Sequence, residues 1–417
     1  MTSNRLNIGI VTSKGCIYPS LRHPNYMDQD NCFKDLSNTH DVYLVGNIIA
    51  ERGYARSQCS FSFWKNQSLL WNNRYTSCLS PFPPVAWLRN LLDNLSDNLY
   101  TTSYFPCLEK YQVDIIYSFS WPFDCYAARW AQKLGKPLIL EMWEDYACFT
   151  AITMERAGIP VGVIRREEDR IYRWMRDMAD AAARVLVPTR VFAERLSEIG
   201  VPEDKINIAR VPVAVPLATG EDDFSIRNEY NIEDNTQIIF YLGANSSRHD
   251  LTTLLEAVPV INGNPVLIIA GNSREELRKT ANSLVDGQVR IIFTGPLEED
   301  RLQAYITQVD ICVAPYYFPK PSGFFPGKVV RYMVAGRAIV ATDLPETREM
   351  FRGEPAGILV PQKDADALSG ALNSLLSDGN MRETMGQTAR KIATASYLFE
   401  HHTQKLLEII REVISLS

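Results

Sequence analysis

Short apolar runs recur along the chain, each closed by a turn residue and followed by a longer stretch of helical spacing. Residues 6–12 (LNIGIVT), 40–46 (HDVYLVG), 113–120 (VDIIYSFS), 137–143 (PLILEMW) and 185–187 predict buried parallel strands. Residues 124–134 and 191–199 carry helical spacing between them, and Gly200 closes the second. The pattern restarts after a stretch rich in Pro and acid, 211–224. Its strands are 237–243 (QIIFYLG), 265–271 (PVLIIAG), 289–295 (VRIIFTG), 310–315 (DICVAP), 338–342 (AIVAT) and 357–360 (GILV), with helices at 252–261, 274–284, 299–309 and 328–334. Terminal helices follow Asp364.

Strand and helix alternating in this way predict an α/β protein with two Rossmann-like, doubly wound parallel sheets. The boundary falls between Val211 and Asp222. The expected domains are 1–213, 214–394, and a C-terminal helix within 395–417 that packs back toward the first domain. Open sheets of this kind bind ligands beyond the carboxyl ends of their strands, so the two domains are expected to face a cleft.

Composition narrows the possibilities. The 417 residues are enough for two full cores, and 43 basic against 49 acidic residues leave no positive field for nucleic acid. Eight cysteines at irregular spacing, without a C-x-x-C pair, fit reduced thiols in a cytoplasmic protein. The five histidines have no metal-ligand spacing, so no metal or other cofactor is expected. No apolar run is long enough to span a membrane, and Met1–Asn4 lead directly into a strand, leaving no room for a signal peptide. Membrane contact is expected to be at most peripheral, at the inner face. The aromatic, Pro-interrupted stretch 61–88 is open to two readings: core filler under long loops, or a surface for stacking an acceptor or touching a membrane.

One segment carries chemistry by itself. Pro326-Gly327-Lys328 opens the helix at 328–334, with Pro suited to a first turn and Gly to close backbone approach. Free amides and the positive end of the dipole make an anion site there, to which Lys328 adds a full charge. Asp28-Gln29-Asp30 is open to helix capping or to a cationic acceptor such as an amino-sugar.

The second series also resembles a known family. Tyr241-Leu242-Gly243 leads through Arg248-His249-Asp250 to Leu254-Leu255-Glu256-Ala257, and 325–336 (FPGKVVRYMVAG) precedes 338–343 (AIVATD). These segments resemble the nucleotide-sugar half of GT-B glycosyltransferases of the retaining family-4 group, whose variant reads S-P-x-K-x-x-E-Y-M-x-x-G-x-P-V-V-A-T. In the first half, 186–208 is similar to the family's strand–helix–G-V-P-x-x-K-I segment. The resemblance runs in order from about residue 110 to 390, with the first ~100 residues matching in topology alone.

The resemblance implies a retaining glycosyltransferase moving a sugar from a phosphate-activated donor, nucleotide-diphosphate in the family, to a sugar or natural-product acceptor. It implies donor contacts from Gly243, Arg248, His249, Gly271, Gly327, Lys328, Arg331 and Thr342, with Lys328 and His249 acting on the reacting groups. The acceptor side would hold Ser13, Lys14, Gly15, Asp28, Asp30, Phe119, Glu141 and Glu144, with a structural role equally open for Glu141 and Glu144. Departures from the family gather here. Arg331 stands where a Glu binds the ribose, Gly323 where a second acid stands, and Phe119 where a histidine lies near the transferred sugar. Arginine has donors and no acceptor, so it cannot copy a carboxylate receiving two hydroxyl protons. Each departure is open to drift at a position whose role has moved to a neighbour. Beside the first reading stand two alternatives: the same fold on a sugar phosphate or a nucleotide with an extra phosphate, or a non-catalytic sugar-binding partner. A dinucleotide oxidoreductase is disfavoured, because no G-x-G-x-x-G follows any expected strand.

Overall fold

The computed structural model describes residues 5–11, 36–37, 39–45, 105–106, 108–119, 126–213, 224–243, 248–272, 275–284 and 289–416. The chain divides into two compact units. The first comprises Met1–Arg210, Ser322–Phe324 and Phe399–Ser417, and the second Val211–Pro321 and Phe325–Leu398.

The first unit is built on a six-stranded sheet of β1 (Asn7–Val11), β2 (Asp41–Val45), β3 (Ile115–Phe119), β4 (Leu138–Glu141), β5 (Arg184–Val187) and β6 (Ile206–Ile208), in the order β2-β1-β3-β4-β5-β6. Every pairing is parallel, with Ile8 opposite Ile115 and Leu140 opposite Val185. Helices α1 (Tyr126–Leu134), α2 (Tyr146–Arg156), α3 (Val161–Ala181) and α4 (Arg190–Glu198) follow their strands. α1 and α3 bury Trp130, Trp174, Met175 and Met178 with Ile116, Leu138 and Leu140 of the sheet. Local chemistry sets the start of α4, where the Thr189 hydroxyl accepts from the Phe192 amide at 3.2 Å. The strand β6 was not visible in the sequence: it is a three-residue edge strand, half-buried throughout, with a polar Asn207 at its centre.

The second unit has its own parallel six-stranded sheet: β7 (Ile238–Leu242), β8 (Val266–Ala270), β9 (Arg290–Gly295), β10 (Ile311–Ala314), β11 (Ala338–Thr342) and β12 (Ile358–Val360). Its helices are α5 (Ile226–Tyr230), α6 (Leu251–Ala257), α7 (Glu275–Leu284), α8 (Glu299–Gln308), α9 (Gly327–Val334), α10 (Pro345–Phe351), α11 (Ala365–Ser377) and α12 (Gly379–Thr394). The helix expected over 252–261 is shorter, because Pro259 turns its end into a 3-10 segment, Val258–Val260. α10 was not anticipated. Its polar sequence, PETREMF, lacks an apolar period, and it is started by Pro345 and by Leu344 N–H donating to Thr347 Oγ1 at 3.0 Å.

Strand order in this sheet is β12-β11-β10-β7-β8-β9. The chain therefore reverses its direction of travel between β7 and β10, and open sheets of this kind take their ligands at such a point, beyond the carboxyl ends of the strands.

The last helix, α13 (Phe399–Leu416), belongs to the first unit. Its Leu406, Ile409, Ile410 and Val413 pack with Ile8, Ile10, Ile115, Tyr117, Ile139 and Leu186 on the sheet face opposite α1 and α3. With Leu36, α13 buries this face, as a parallel sheet covered on both sides requires.

Candidate active site

The candidate site begins where β7 ends. Ile238–Tyr241 is buried, Leu242 is half-buried, and Gly243 leaves the strand with φ +144, its amide donating to Ala270 O at 2.8 Å. A Cβ on Gly243 would meet Lys328 Nζ and the Tyr241 hydroxyl, each at 2.9 Å, and His249 Cε1 at 3.3 Å. Three polar side chains thus converge on one backbone position that has no side chain of its own.

Lys328 lies in the first turn of α9, after Pro326 and Gly327, and is 9% exposed. Its Nζ donates to the Tyr241 hydroxyl at 3.3 Å and lies 4.4 Å from the Tyr241 ring centre and 5.0 Å from that of Tyr316. Among the described residues, no carboxylate pairs with it. The two ring faces favour a cation by roughly 0.5–2 kcal/mol each. Burying an ammonium costs several kcal/mol, so desolvation wins. Burial, reinforced by the Arg248 guanidinium, accordingly holds the lysine well below its ordinary pKa. An arriving anion would reverse that balance.

The opposite wall is the segment before α6. His249 forms an isolated antiparallel bridge with Tyr316, Asp250 N–H donates to Pro315 O at 3.2 Å, and Tyr317 N–H donates to Arg248 O at 3.0 Å. This stitching joins the ends of β7 and β10 across the reversal point of the sheet. Asp250 then caps α6, its carboxylate accepting from the Thr253 amide at 3.4 Å and hydroxyl at 2.8 Å. A third tyrosine completes the frame, as Leu242 N–H donates to the Tyr332 hydroxyl oxygen at 2.8 Å, tying α9 to the end of β7. Tyr241, Tyr316 and Tyr332 are fully buried, and burial pushes all three phenols up. None of the three was expected from sequence to be a site residue, although Tyr241 and Tyr332 stand in the family-like segments. Each occupies what looks like a core position, and the partners that reveal it are remote in the chain.

The other expected residues divide by location. Gly271 ends β8 with its amide donating to Gly295 O at 2.8 Å, in the strand next to β7. Arg331 is buried at 5% exposure on α9, one turn beyond Lys328. Thr342 follows at the end of β11. Its hydroxyl accepts from Tyr316 N–H at 2.7 Å and donates to Tyr316 O at 3.2 Å, so at 3% exposure it fixes the loop after β10. Gly323 has φ +62, and a Cβ there would lie 2.7 Å from that of Phe192 in the same unit. The acid of the family pattern has no room.

In the first unit, Glu141 is engaged by its neighbours in the fold. At 2% exposure its carboxylate accepts from the Tyr117 hydroxyl and, at 2.7 Å, from Trp143 Nε1, with His402 Nε2 at 3.8 Å. His402 Nδ1 lies 3.1 Å from Arg210 O, so this cluster holds α13 to β4. Glu144 is half-buried just before α2, and the Phe119 backbone ends β3. Ser13, Lys14, Gly15, Asp28 and Asp30 lie outside the described residues, as does the aromatic stretch 61–88. A groove of about 1140 Å³ between α1 and α3, lined by Arg129, Lys136, Trp174 and Met178, contains none of the candidate residues.

Among the described residues, no group of His, Cys, Asp or Glu is arranged to hold a metal ion, and no helix is long and apolar enough to cross a membrane. The chemistry on display is that of an anion site: a buried amine, a second cation on the facing wall, and a helix start.

Comparison with known proteins agrees with this arrangement. The glycosyl transferase 4-like domain matches residues 72–212, and the glycosyl transferases group 1 domain matches residues 236–378. Phosphatidyl-myo-inositol mannosyltransferase of Mycolicibacterium smegmatis is 30% identical over 179 residues, 40% of this chain and 44% of that protein. The chain therefore spans less than half the length of that relative. Sucrose-phosphate synthase from Thermosynechococcus elongatus superposes with a TM-score of 0.70 at 17% identity, covering 99% of this chain and 100% of the other. The Anabaena protein HepE, solved with UDP and glucose, gives a TM-score of 0.66 at 13% identity over 98% of this chain and 100% of its own. These two likenesses speak to the fold. With two parallel Rossmann-like sheets and a glycosyltransferase family match on each, the chain belongs to the GT-B glycosyltransferases of the family-4, or group 1, type.

Proposed function

We propose that this protein transfers a sugar, with retention of configuration, from a nucleoside-diphosphate donor to a sugar-bearing or natural-product acceptor. The observation that carries the reading is Lys328: a buried amine beside a side-chain-free Gly243, with no carboxylate pairing among the described residues. A buried cation without an acid is costly unless a ligand supplies the negative charge. Lys328 and the first-turn amides of α9 would hold the diphosphate, while Arg248 and His249 approach it from the facing wall. UDP bound to HepE and the mannosyl transfer in the name of the Mycolicibacterium relative support the donor class.

In this reading the acceptor attacks from the face the diphosphate leaves. The departing phosphate oxygen takes the acceptor's proton, and the protein contributes positioning and charge stabilisation, with no nucleophile of its own. Arg331 favours a second version of the donor: a cation in place of the ribose-binding acid suits a nucleotide or sugar carrying an additional phosphate.

A panel of UDP, GDP, ADP and sugar phosphates tests both, read by thermal shift and calorimetry on the wild type and Lys328→Ala. The variant is expected to lose about 1.5–3 kcal/mol of affinity for the best diphosphate, the range for hydrogen bonds to charged groups. Equal affinities with the fold intact reject Lys328 as a ligand. A bound donor that is never turned over with any acceptor leaves a sugar-binding partner.

A further inference from the structure

The surroundings of Lys328 also bear on its protonation, an inference that rests on the donor reading above. From β7 the amine faces the Tyr241 hydroxyl at 3.3 Å and the Tyr241 ring; from the segment after β10 it faces the Tyr316 ring. From the facing wall come Arg248, of like charge, and His249, whose Cε1 points at the same Gly243 position. On its own helix, Tyr332 is turned to the Leu242 amide, and Arg331 adds a further positive residue one turn on. The acid nearest in sequence to this wall, Asp250, is committed to Thr253 as the cap of α6. Every described neighbour is thus neutral, of like charge, or an acid engaged elsewhere, and burial acts in the same direction.

We propose that Lys328 stands as a neutral amine before a donor binds and takes up one proton from solvent as the diphosphate enters, so that donor binding is coupled to proton uptake. The amine lone pair forms one N–H bond, buffer gives up the proton, and no bond of the donor is touched. The neutral amine still donates to Tyr241, so the site keeps its geometry in both states. The ammonium then exists only while a diphosphate is present, which places full charge beside the leaving group during transfer and releases it with the product.

Isothermal titration of the full chain with UDP, GDP and ADP at about pH 8.5 tests this, since their phosphates are already ionised there. Each titration is run in buffers of different ionisation enthalpy. The slope of observed heat against buffer heat counts the protons taken up, and about one is expected. Affinity should fall about tenfold per pH unit while the donor-free amine is neutral and the bound one charged. His249→Gln separates the two titratable candidates: the uptake must persist in that variant. Lys328→Arg, charged in both states, should bind without uptake.

Binding with zero slope in the wild type overturns the coupling and leaves the donor reading standing. An uptake that vanishes in His249→Gln overturns it in favour of the imidazole. If none of the three nucleotides binds, the donor reading itself fails and the coupling fails with it. Should Lys328→Arg not fold, the wild-type slope and the His249→Gln comparison still decide.

Discussion

Gly243 and Lys328 are fitted to each other: the amine nitrogen occupies space 2.9 Å from where any residue but glycine would carry its Cβ. The lysine is held by a strand end on another element, and the strand end is free to turn because it has no side chain. The two residues are far apart in sequence, yet neither position can change without disturbing the other.

Gly243→Ala should therefore act twice. Its φ of +144 is strained for any L side chain, and its methyl would displace Lys328 Nζ and the Tyr241 hydroxyl. A stability loss of about 1–3 kcal/mol is expected from the strain, together with weaker diphosphate binding. Chemical denaturation and titration calorimetry read the two separately. Unchanged values in both would show that α9 has room to retreat.

Lys328→Met should stabilise the donor-free protein. The folded-state pKa of Lys328 lies below its unfolded value, so the unfolded chain binds more protons and wild-type stability rises with pH through that window. The gain from methionine is accordingly largest near neutral pH and shrinks toward pH ~10, where the unfolded lysine also begins to lose its proton. Denaturation midpoints of the two proteins across this range check it, and a pH-independent difference would contradict it.

Arg331→Glu should move ligand preference toward ordinary nucleoside diphosphates. A carboxylate accepts from both ribose hydroxyls, whereas it repels an added phosphate in a partly desolvated site. The substitution falls at 5% exposure and will cost stability, so the informative quantity is the ranking of UDP against a ribose-phosphorylated analogue within each protein. Identical rankings would show that Arg331 serves packing alone.

Glu141→Leu should destabilise the first unit by roughly 3–5 kcal/mol, because Tyr117, Trp143 and His402 lose the carboxylate they surround. Glu141→Gln retains an acceptor oxygen and should cost less. Thermal unfolding compares them, and equal midpoints for all three proteins would mean the cluster is not structural.

The sheets were legible in the sequence because strands buried on both faces must be apolar runs, and those runs stand out at β1, β4, β7, β8 and β11. Edge strand β6 and helix α10 escaped for the converse reason, being half-buried or polar. In the site, Pro326, Gly327 and Lys328 were readable because their chemistry is local to one helix start. Tyr241, Tyr316 and Tyr332 were not, since a tyrosine reveals its role through the atom its hydroxyl touches, and those atoms lie on other elements. The same limit explains Thr342 and Glu141. Each stood among the expected contact residues, and each is engaged by a partner that sequence spacing does not disclose.

The helix α13 places a demand on the order of synthesis. Ile8, Ile10, Ile115, Tyr117, Ile139 and Leu186 all precede Arg210, whereas the α13 residues that pack on them lie within 399–416. At about 5–20 residues per second, the ribosome needs roughly 10–40 s to make the intervening second unit. Throughout that interval this apolar sheet face of the nascent chain lacks the cover that α13 supplies. The first unit is therefore the part of this protein that should depend on a chaperone during translation, although it is made first.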